Sequence, residues 1–384
     1  MTRLRQGPRL CRPEEFDEVM DFTDRVFRPG QRGRFIVQRQ YPHAYQQRWA
    51  RRIVTLREDG ELVGNLAIHP LRIKVEGVPL KVGGLGIVGT DPQKRGQGIM
   101  GTLLRDAIGR MYRNGCALSV LSGDRRRYGW FGWENAGVCN VFNLAPRYLG
   151  APGAAESKLA IDRFEPTAAL CRRIRAWGQQ QDNWIERSPA DIAPLLVRDG
   201  RHSWICRDGR RLAYAVLGGA NRRPTPYERI DEAGGDPDLV AALLRQLFRR
   251  FRLQKLRATA GPNPEQVALY QPYSGSWTRQ CDGMLRLINL PLLLQALQPL
   301  LQERARAAGL RGRFDLAAPD LDQQGRLDLG RGGRQALELS ARQMVLLFFG
   351  LLPLTESLPQ LGPLAAELGR ILPLPFYYPA LNHI

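Results

Sequence analysis

The sequence predicts an α/β (α+β) protein: two successive units with mixed central sheets, the second a degenerate copy of the first, followed by a smaller α+β block. Three observations predict it. Hairpin signals and a Gly-rich strand-to-helix turn fill residues 1–146. A similar order of helix, strands and helix restarts over 147–282 without those glycines, and composition shifts toward Leu and Pro over 283–384.

From Pro13 to Phe27 the apolar residues Phe16, Val19, Met20, Val26 and Phe27 recur at helical spacing behind Glu14 and Glu15, which suit a helix's first turn. Ile53–Leu56 and Leu62–Ile68 read as strands joined by Asp59-Gly60, a hairpin signal, and Leu71–Val75 and Val78–Val82 as a second hairpin around Glu76-Gly77. Leu85–Thr90 is a short apolar strand. A helix runs from Ile99 to Asn114 with Leu103, Leu104, Ile108 and Met111 inward, and Gly115 stops it. Ala117–Leu121 is a strand, Asp124–Phe131 a short helix and Val138–Leu144 the strand that closes the unit.

In the second unit Thr167–Trp177 is helical, Trp204–Arg207 and Arg211–Leu217 are strands, Pro237–Phe251 is an amphipathic helix and Leu256–Ala260 a strand. Asp231 to Asp236 stands where a phosphate loop would, with carboxylates that repel pyrophosphate. In the third block Pro291 opens a helix over Leu292–Arg304, and Pro299 is expected to kink or divide it. Arg313–Leu316 and Gly325–Leu329 read as strands and Leu337–Gly350 as a partly buried segment. The Pro-rich, aromatic stretch Leu372–Pro379 reads as a packed, extended tail.

Composition excludes several classes. At 43% hydrophobic the chain is not disordered. Its longest apolar run, Met344–Leu354, is about half of the ~20 residues a membrane span needs. Met1–Arg12 is polar and lacks an export signal, so a cytoplasmic, membrane-free protein is expected. Six scattered cysteines form no C-x-x-C pair and read as buried thiols, and no metal site is expected. The net charge of +19 would suit a polyanion, yet only five of the 56 basic residues are Lys and the arginines are spread evenly. That is a compositional bias rather than a nucleic-acid footprint.

The chemistry concentrates in Val88-Gly89-Thr90-Asp91-Pro92-Gln93-Lys94-Arg95-Gly96-Gln97-Gly98-Ile99-Met100-Gly101. A loop between a strand and a helix exposes backbone N–H groups, and Gly96 and Gly98 let that backbone approach a pyrophosphate. A dinucleotide-binding reading fails for want of a third glycine and an early βαβ order. A P-loop fails for want of Gly-Lys-Ser or Gly-Lys-Thr.

Gln93-x-x-Gly96-x-Gly98 after an apolar strand resembles the acetyl-CoA motif of the GNAT superfamily, and Tyr128-Gly129-Trp130-Phe131-Gly132-Trp133 is similar to a helix-four signature there. The three-block order resembles the enhanced intracellular survival (Eis) family, with two GNAT units and a sterol-carrier-protein-like domain. That resemblance is specific to about residue 145 and rests on order and length afterwards. It implies an N-acetyltransferase that uses acetyl-CoA and no metal. Val88, Gly89 and Thr90 would pair with pantetheine. Arg95 and the Gly96, Gln97, Gly98, Ile99, Met100 and Gly101 stretch would hold the pyrophosphate. Tyr128 would protonate the departing thiolate, and the terminal carboxylate of Ile384 would take the amine's proton.

Such an amine needs a base, because an aliphatic ammonium has a pKa near ~10.4. His383 is an alternative base, against a reading as a solvent-exposed terminal side chain. The expected acceptor is an amine of a small molecule or a lysine side chain. Asp21, Asp24 and Glu134 are candidate acidic residues for it, and a homo-oligomer is compatible with the pattern. The competing functions are a tandem-GNAT aminoacyltransferase using charged tRNA and a non-catalytic acyl-CoA-binding scaffold.

Overall fold

Two turns set the first sheet. Asp59 and Gly60 both have positive φ (50° and 86°), as do Glu76 and Gly77 (49° and 81°), the geometry whose twist matches antiparallel strands. The structure is a computed structural model and describes residues 4–151, 159–219 and 227–383. In chain order the first part comprises β1 (Arg5–Leu10), α1 (Phe16–Phe27), α2 (Ile36–Gln40), β2 (Ile53–Glu58), β3 (Glu61–Val75), β4 (Val78–Thr90), α3 (Ile99–Arg113), β5 (Leu118–Leu121), α4 (Arg125–Tyr128), β6 (Glu134–Ala136) and β7 (Cys139–Leu144). The two hairpins read separately from the sequence share strands. Residues 62–68 and 71–75 lie on the single strand β3, and 78–82 and 85–90 on β4. Pro70 does not interrupt β3, because it is exposed and faces Gly83 at a stretch that β2 has already left.

The middle of the chain carries β8 (Ile161–Arg163), α5 (Ala168–Gln179), β9 (Trp184–Ile185), α6 (Pro189–Leu196), β10 (Arg201–Asp208), β11 (Arg211–Gly218), β12 (Arg229–Gly235), α7 (Pro237–Arg250), β13 (Leu256–Ala260), α8 (Pro264–Ala268), β14 (Ser274–Gln280) and β15 (Gly283–Leu287). Then follow α9 (Leu290–Ala308), β16 (Arg313–Ala318), β17 (Gln323–Asp328), β18 (Arg334–Glu338) and α10 (Ala341–Phe349). The mixed α/β architecture is the one the sequence predicts. The first sheet has the order β1-β2-β3-β4-β5-β15-β6, with β9 alongside β3; the second is β14-β7-β13-β12-β11-β10-β8, and the third β17-β16-β18.

Two strands differ from expectation. Residues 138–144 were expected to close the first sheet, but β7 lies between β13 and β14 in the second. The place next to β5 is taken by β15, from far along the chain, with Leu285 opposite Val120. Both exchanged strands are apolar on both faces over most of their length, so either sheet could bury them. The acidic segment from Asp231 is also not a loop. Asp231 and Glu232 are buried on β12, bound to Arg229 and Arg187, and Asp236 caps α7 through Leu239 N–H. Pro299 leaves α9 undivided, because its exposed side turns the carbonyl that loses a donor toward water.

The third block packs on the first sheet. Val82, Leu118 and Val120 share a core with Leu293, Leu297 and Phe348, and the tail Leu372–Tyr378 is buried there as expected. Tail and sheets are tied by Tyr378 N–H donating to Asp282 and Val138 N–H donating to Phe376 C=O. Cys11, Cys116, Cys139, Cys171 and Cys206 are buried free thiols and Cys281 is half-buried. Among the described residues no helix is long and apolar enough to cross a membrane, and no cluster of His, Cys, Asp or Glu could hold a metal ion.

Candidate active site

β4 and β5 run parallel for only three pairs, Val82 with Leu118, Gly83 with Ser119 and Gly84 with Val120. Beyond Gly84 they part. Between the pairs Ala67–Gly86 and Asn65–Gly89, β4 carries one more residue than β3, and Ile87 takes a positive φ of 45°. Among the described residues no strand pairs with Leu85–Thr90 on the side facing away from β3. That edge presents polar backbone groups in need of a partner.

The Gly-rich loop follows at the end of that edge. Asp91 accepts from Gln93 N–H at 2.8 Å and starts a 3₁₀ turn over Pro92–Lys94. Arg5, on β1, donates to Gln97 C=O at 3.1 Å, and Lys94 donates to Glu58 at 3.0 Å. Arg5 and Lys94 hold the Glu58 carboxyl below the usual range. Gly96 and Gly98 have φ of 79° and 76°, and a Cβ on either would meet nothing within 4 Å. The glycines are therefore required by the left-handed backbone, and the space outside them is open to a ligand. Gly98 caps α3, which Ile99, Leu103, Leu104 and Met111 bury against the sheet, while Ile108 is only partly covered.

A cleft of about 730 Å³ joins these parts. Of the expected cofactor-binding residues, Val88, Thr90, Arg95, Gly96, Gly98, Ile99, Met100 and Gly101 line it. Gly89 does not; it backs onto Asn65 and Phe27. Gln97 holds β1 instead. The sequence reading missed Lys94, Arg105 and Arg127, which with Arg95 put four cations on the wall, and Val26, Phe27 and Phe131, which make it partly apolar. Arg105 was legible as the residue one helical turn after Gly101. An acyl-CoA fits this set: cations and loop amides for phosphates, an unpaired strand edge for amides of the pantetheine, and apolar contacts between.

Tyr128 ends α4, whose Asp124 accepts from Arg126 N–H at 2.8 Å. Its ring is 8% exposed and stands edge-on to Trp133 with centroids 6.3 Å apart. Gly123 is needed beneath it, since a Cβ there would come 2.3 Å from the ring. Burial raises the phenol's pKa, so it holds its proton at neutral pH. Arg127 and Phe131, on either side of Tyr128, line the cleft, and Tyr128 sits behind them against the β5 end.

Ile384 lies outside the described residues. His383, taken as exposed, is instead half-buried: its ring stacks on Tyr378 at 5.0 Å, and Nε2 donates to Tyr378 C=O at 2.9 Å. Burial lowers its pKa, which keeps the imidazole neutral. The three candidate carboxylates are committed elsewhere. Asp24 accepts from Ile36 and Val37 N–H, Asp21 pairs with Arg34, and Glu134 with Arg125 and Arg342. For Glu134 burial acts upward, but the two guanidinium bonds outweigh it and hold the carboxyl below its usual range.

Residues 8–136 match the family profile described as acetyltransferase (GNAT) domain. No curated protein sequence matches the chain. Among solved structures, a GCN5-related N-acetyltransferase from Anabaena variabilis is similar with a TM-score of 0.71 at 16% identity, over 96% of this chain and 97% of that one. One from Kribbella flavida gives 0.67 at 17%, over 100% and 99%. Eis1 from Mycobacterium abscessus gives 0.63 at 13%, over 98% and 99%. Residues 8–136 are thus similar to an acetyltransferase (GNAT) domain, in a fold that the chain shares along its length with solved GCN5-related N-acetyltransferases.

Proposed function

We propose that the chain is an N-acetyltransferase that moves the acetyl group of acetyl-CoA directly to an amine of a small molecule or a lysine side chain. One observation carries this reading: the β4 edge freed beyond Gly84 runs into the Gly96–Gly98 loop and its four cations, all on one cleft. Acetyl-CoA supplies an acyl group on a thiol leaving group. The backbone of Val88, Gly89 and Thr90 orients it, and Arg95 with the amides of residues 96–101 neutralises the pyrophosphate. Tyr128 delivers its phenolic proton to the departing sulfur. The terminal carboxylate of Ile384 takes the proton of the amine, with His383 Nδ1 as the second candidate because Nε2 is engaged.

The wider assignments belong to the same reading: a second GNAT-like unit without a phosphate loop, a sterol-carrier-protein-like third block, a cytoplasmic setting and self-association. The parallel pairing of β12 with β13 on either side of α7 supports the second unit, because it repeats the β4–α3–β5 order. Release of free thiol from acetyl-CoA tests the function against polyamines, aminoglycosides, amino acids and lysine peptides. Amine-dependent thiol release is expected. If no amine in the panel raises release above the rate of hydrolysis, the reading is wrong. One residue added after Ile384 tests the base, and unchanged turnover would remove the terminal carboxylate from the mechanism.

A further inference from the structure

A second cavity, of about 240 Å³, lies on the α1–α2 side of the first sheet. Its floor is β3 at His69 and Leu71, which stand over Gly84, the last residue of β4 still paired to β5. It therefore abuts the vertex at which the acyl-CoA edge opens. The remaining wall comes from the segment after α2, from residues 185–195 and from Tyr378 and Asn382, so three distant stretches of chain meet around it.

Four polar atoms in and beside this cavity have no partner in the fold. Both ring nitrogens of His43 and Nε2 of His69 are buried without a hydrogen-bond partner, as is the hydroxyl of Tyr45, whose ring lies edge-on to His69 at 5.2 Å. Buried polar atoms without a protein partner call for one from water or from a ligand, and here they face a cavity with room for either. Burial pulls the His69 imidazole down to about 3 and His43 well below its ordinary value, so both rings are neutral.

The charges decide what that ligand is. Arg52 lines the cavity with its guanidinium 4.4 Å from the Trp49 ring centroid, and among the described residues no carboxylate bridges it. Of the two lining carboxylates, Glu186 pairs with Arg72 at 3.2 Å, while Asp191 accepts from Ser188 Oγ at 2.6 Å and carries a charge that acts on Arg52. The lining Arg187 is bound to Glu232. Among the described residues, Arg52 and Asp191 are the lining guanidinium and carboxylate not bridged to an opposite charge, which suits a small ligand carrying one charge of each sign rather than a polycation. The volume is also below the roughly 300–1,000 Å³ of cavities that take drug-sized ligands.

We propose that this cavity takes the acceptor, and that the acceptor is a small amine carrying one carboxylate, the amino-acid class. Arg52 binds the carboxylate, and the neutral rings of His43 and His69 receive the polar remainder. The same guanidinium disfavours an ammonium beside it, which favours the neutral, nucleophilic amine. The inference rests on the acyl-transfer reading above.

Two measurements on the full chain test it and keep the two readings apart. Acetyl-CoA turnover is compared for α-amino acids, their carboxamides and spermidine, and binding of the same compounds is followed by calorimetry without acetyl-CoA. Free acids are expected to exceed their carboxamides by about tenfold to a hundredfold in kcat/KM and in affinity, the worth of one charge-assisted contact. Arg52→Gln abolishes that ratio by weakening only the acids, and Arg52→Lys restores part of it. Carboxamides or spermidine preferred over acids, or an acid-to-amide ratio unchanged in Arg52→Gln, overturns the proposal while acyl transfer stands. If nothing turns over, acyl transfer fails, and the calorimetric ratio still decides the cavity's ligand.

Discussion

Arg342, on α10, donates through Nε to the Glu134 carboxylate at 2.9 Å and so ties the third block to the turn that carries Tyr128. Glu134 also receives Arg125, the first residue of α4, so one carboxylate, 5% exposed in its side chain, joins α4 to α10. Both guanidinium groups reach water at 54% and 38% exposure, which limits what is lost when the carboxylate goes. Glu134→Gln is expected to lower stability by about 1–3 kcal/mol in denaturant unfolding at neutral pH. The Glu134 carboxyl is held below its ordinary range in the folded protein, so its contribution is present above the ordinary glutamate pKa and is lost as pH falls through the folded value. The difference between wild type and variant therefore shrinks on acidification below about pH 4.3.

Tyr128→Phe removes the proposed proton donor but keeps the ring that fills the space over Gly123. A loss in kcat of about 10²- to 10⁴-fold is expected, with acetyl-CoA affinity unchanged. Because burial raises the phenol's pKa, the acid stays protonated across the working range, and any fall in wild-type kcat owed to Tyr128 comes only above the ordinary tyrosine pKa of about 10. A Tyr128→Phe kcat within a few-fold of wild type would remove Tyr128 from the acid role.

At φ 76°, Gly98 cannot become alanine without strain. Gly98→Ala is expected to cost about 1–2 kcal/mol where the loop enters α3, and to weaken acetyl-CoA binding measured by calorimetry at least tenfold. Unchanged affinity would mean that the loop backbone does not contact the pyrophosphate.

The Arg187–Glu232 pair is fully inside, with side chains 5% and 4% exposed, and it also reaches Asn382 near the chain's end. Arg187→Met leaves Glu232 buried without its cation, although Tyr214 still donates to it at 2.8 Å. The loss is expected to be about 3–5 kcal/mol, read from thermal or denaturant unfolding. A variant as stable as wild type would show that water or a neighbour replaces the guanidinium.

What the sequence made legible is local. The Asp59-Gly60 and Glu76-Gly77 turns, the helical stripe from Ile99 and the strand at Leu256–Ala260 each rest on residues close in the chain, and each stands where it was expected. The Gly96–Gly98 loop was legible too, because positive φ and an open flank demand glycine whatever surrounds them. The exchange of β7 and β15 between sheets was not, since the partner of an apolar strand is chosen by distant residues such as Val120. Asp231 and Glu232 misled for a similar reason. Their charges are neutralised by Arg201, Arg229 and Arg187, and no local pattern announces that. The cavity around His69 is assembled from four stretches of chain, so its unpartnered nitrogens have no signature at any one of them.

The account turns on whether the edge of β4 and the four cations around Gly96 hold an acyl-CoA. Isothermal titration of the full chain with acetyl-CoA, at low and at raised salt, measures this directly. One site is expected, in the micromolar range typical of enzyme substrates, weakened by salt because phosphates meet Arg95, Arg105 and Lys94. Absence of binding at millimolar acetyl-CoA, with the protein shown to be folded, would contradict the account.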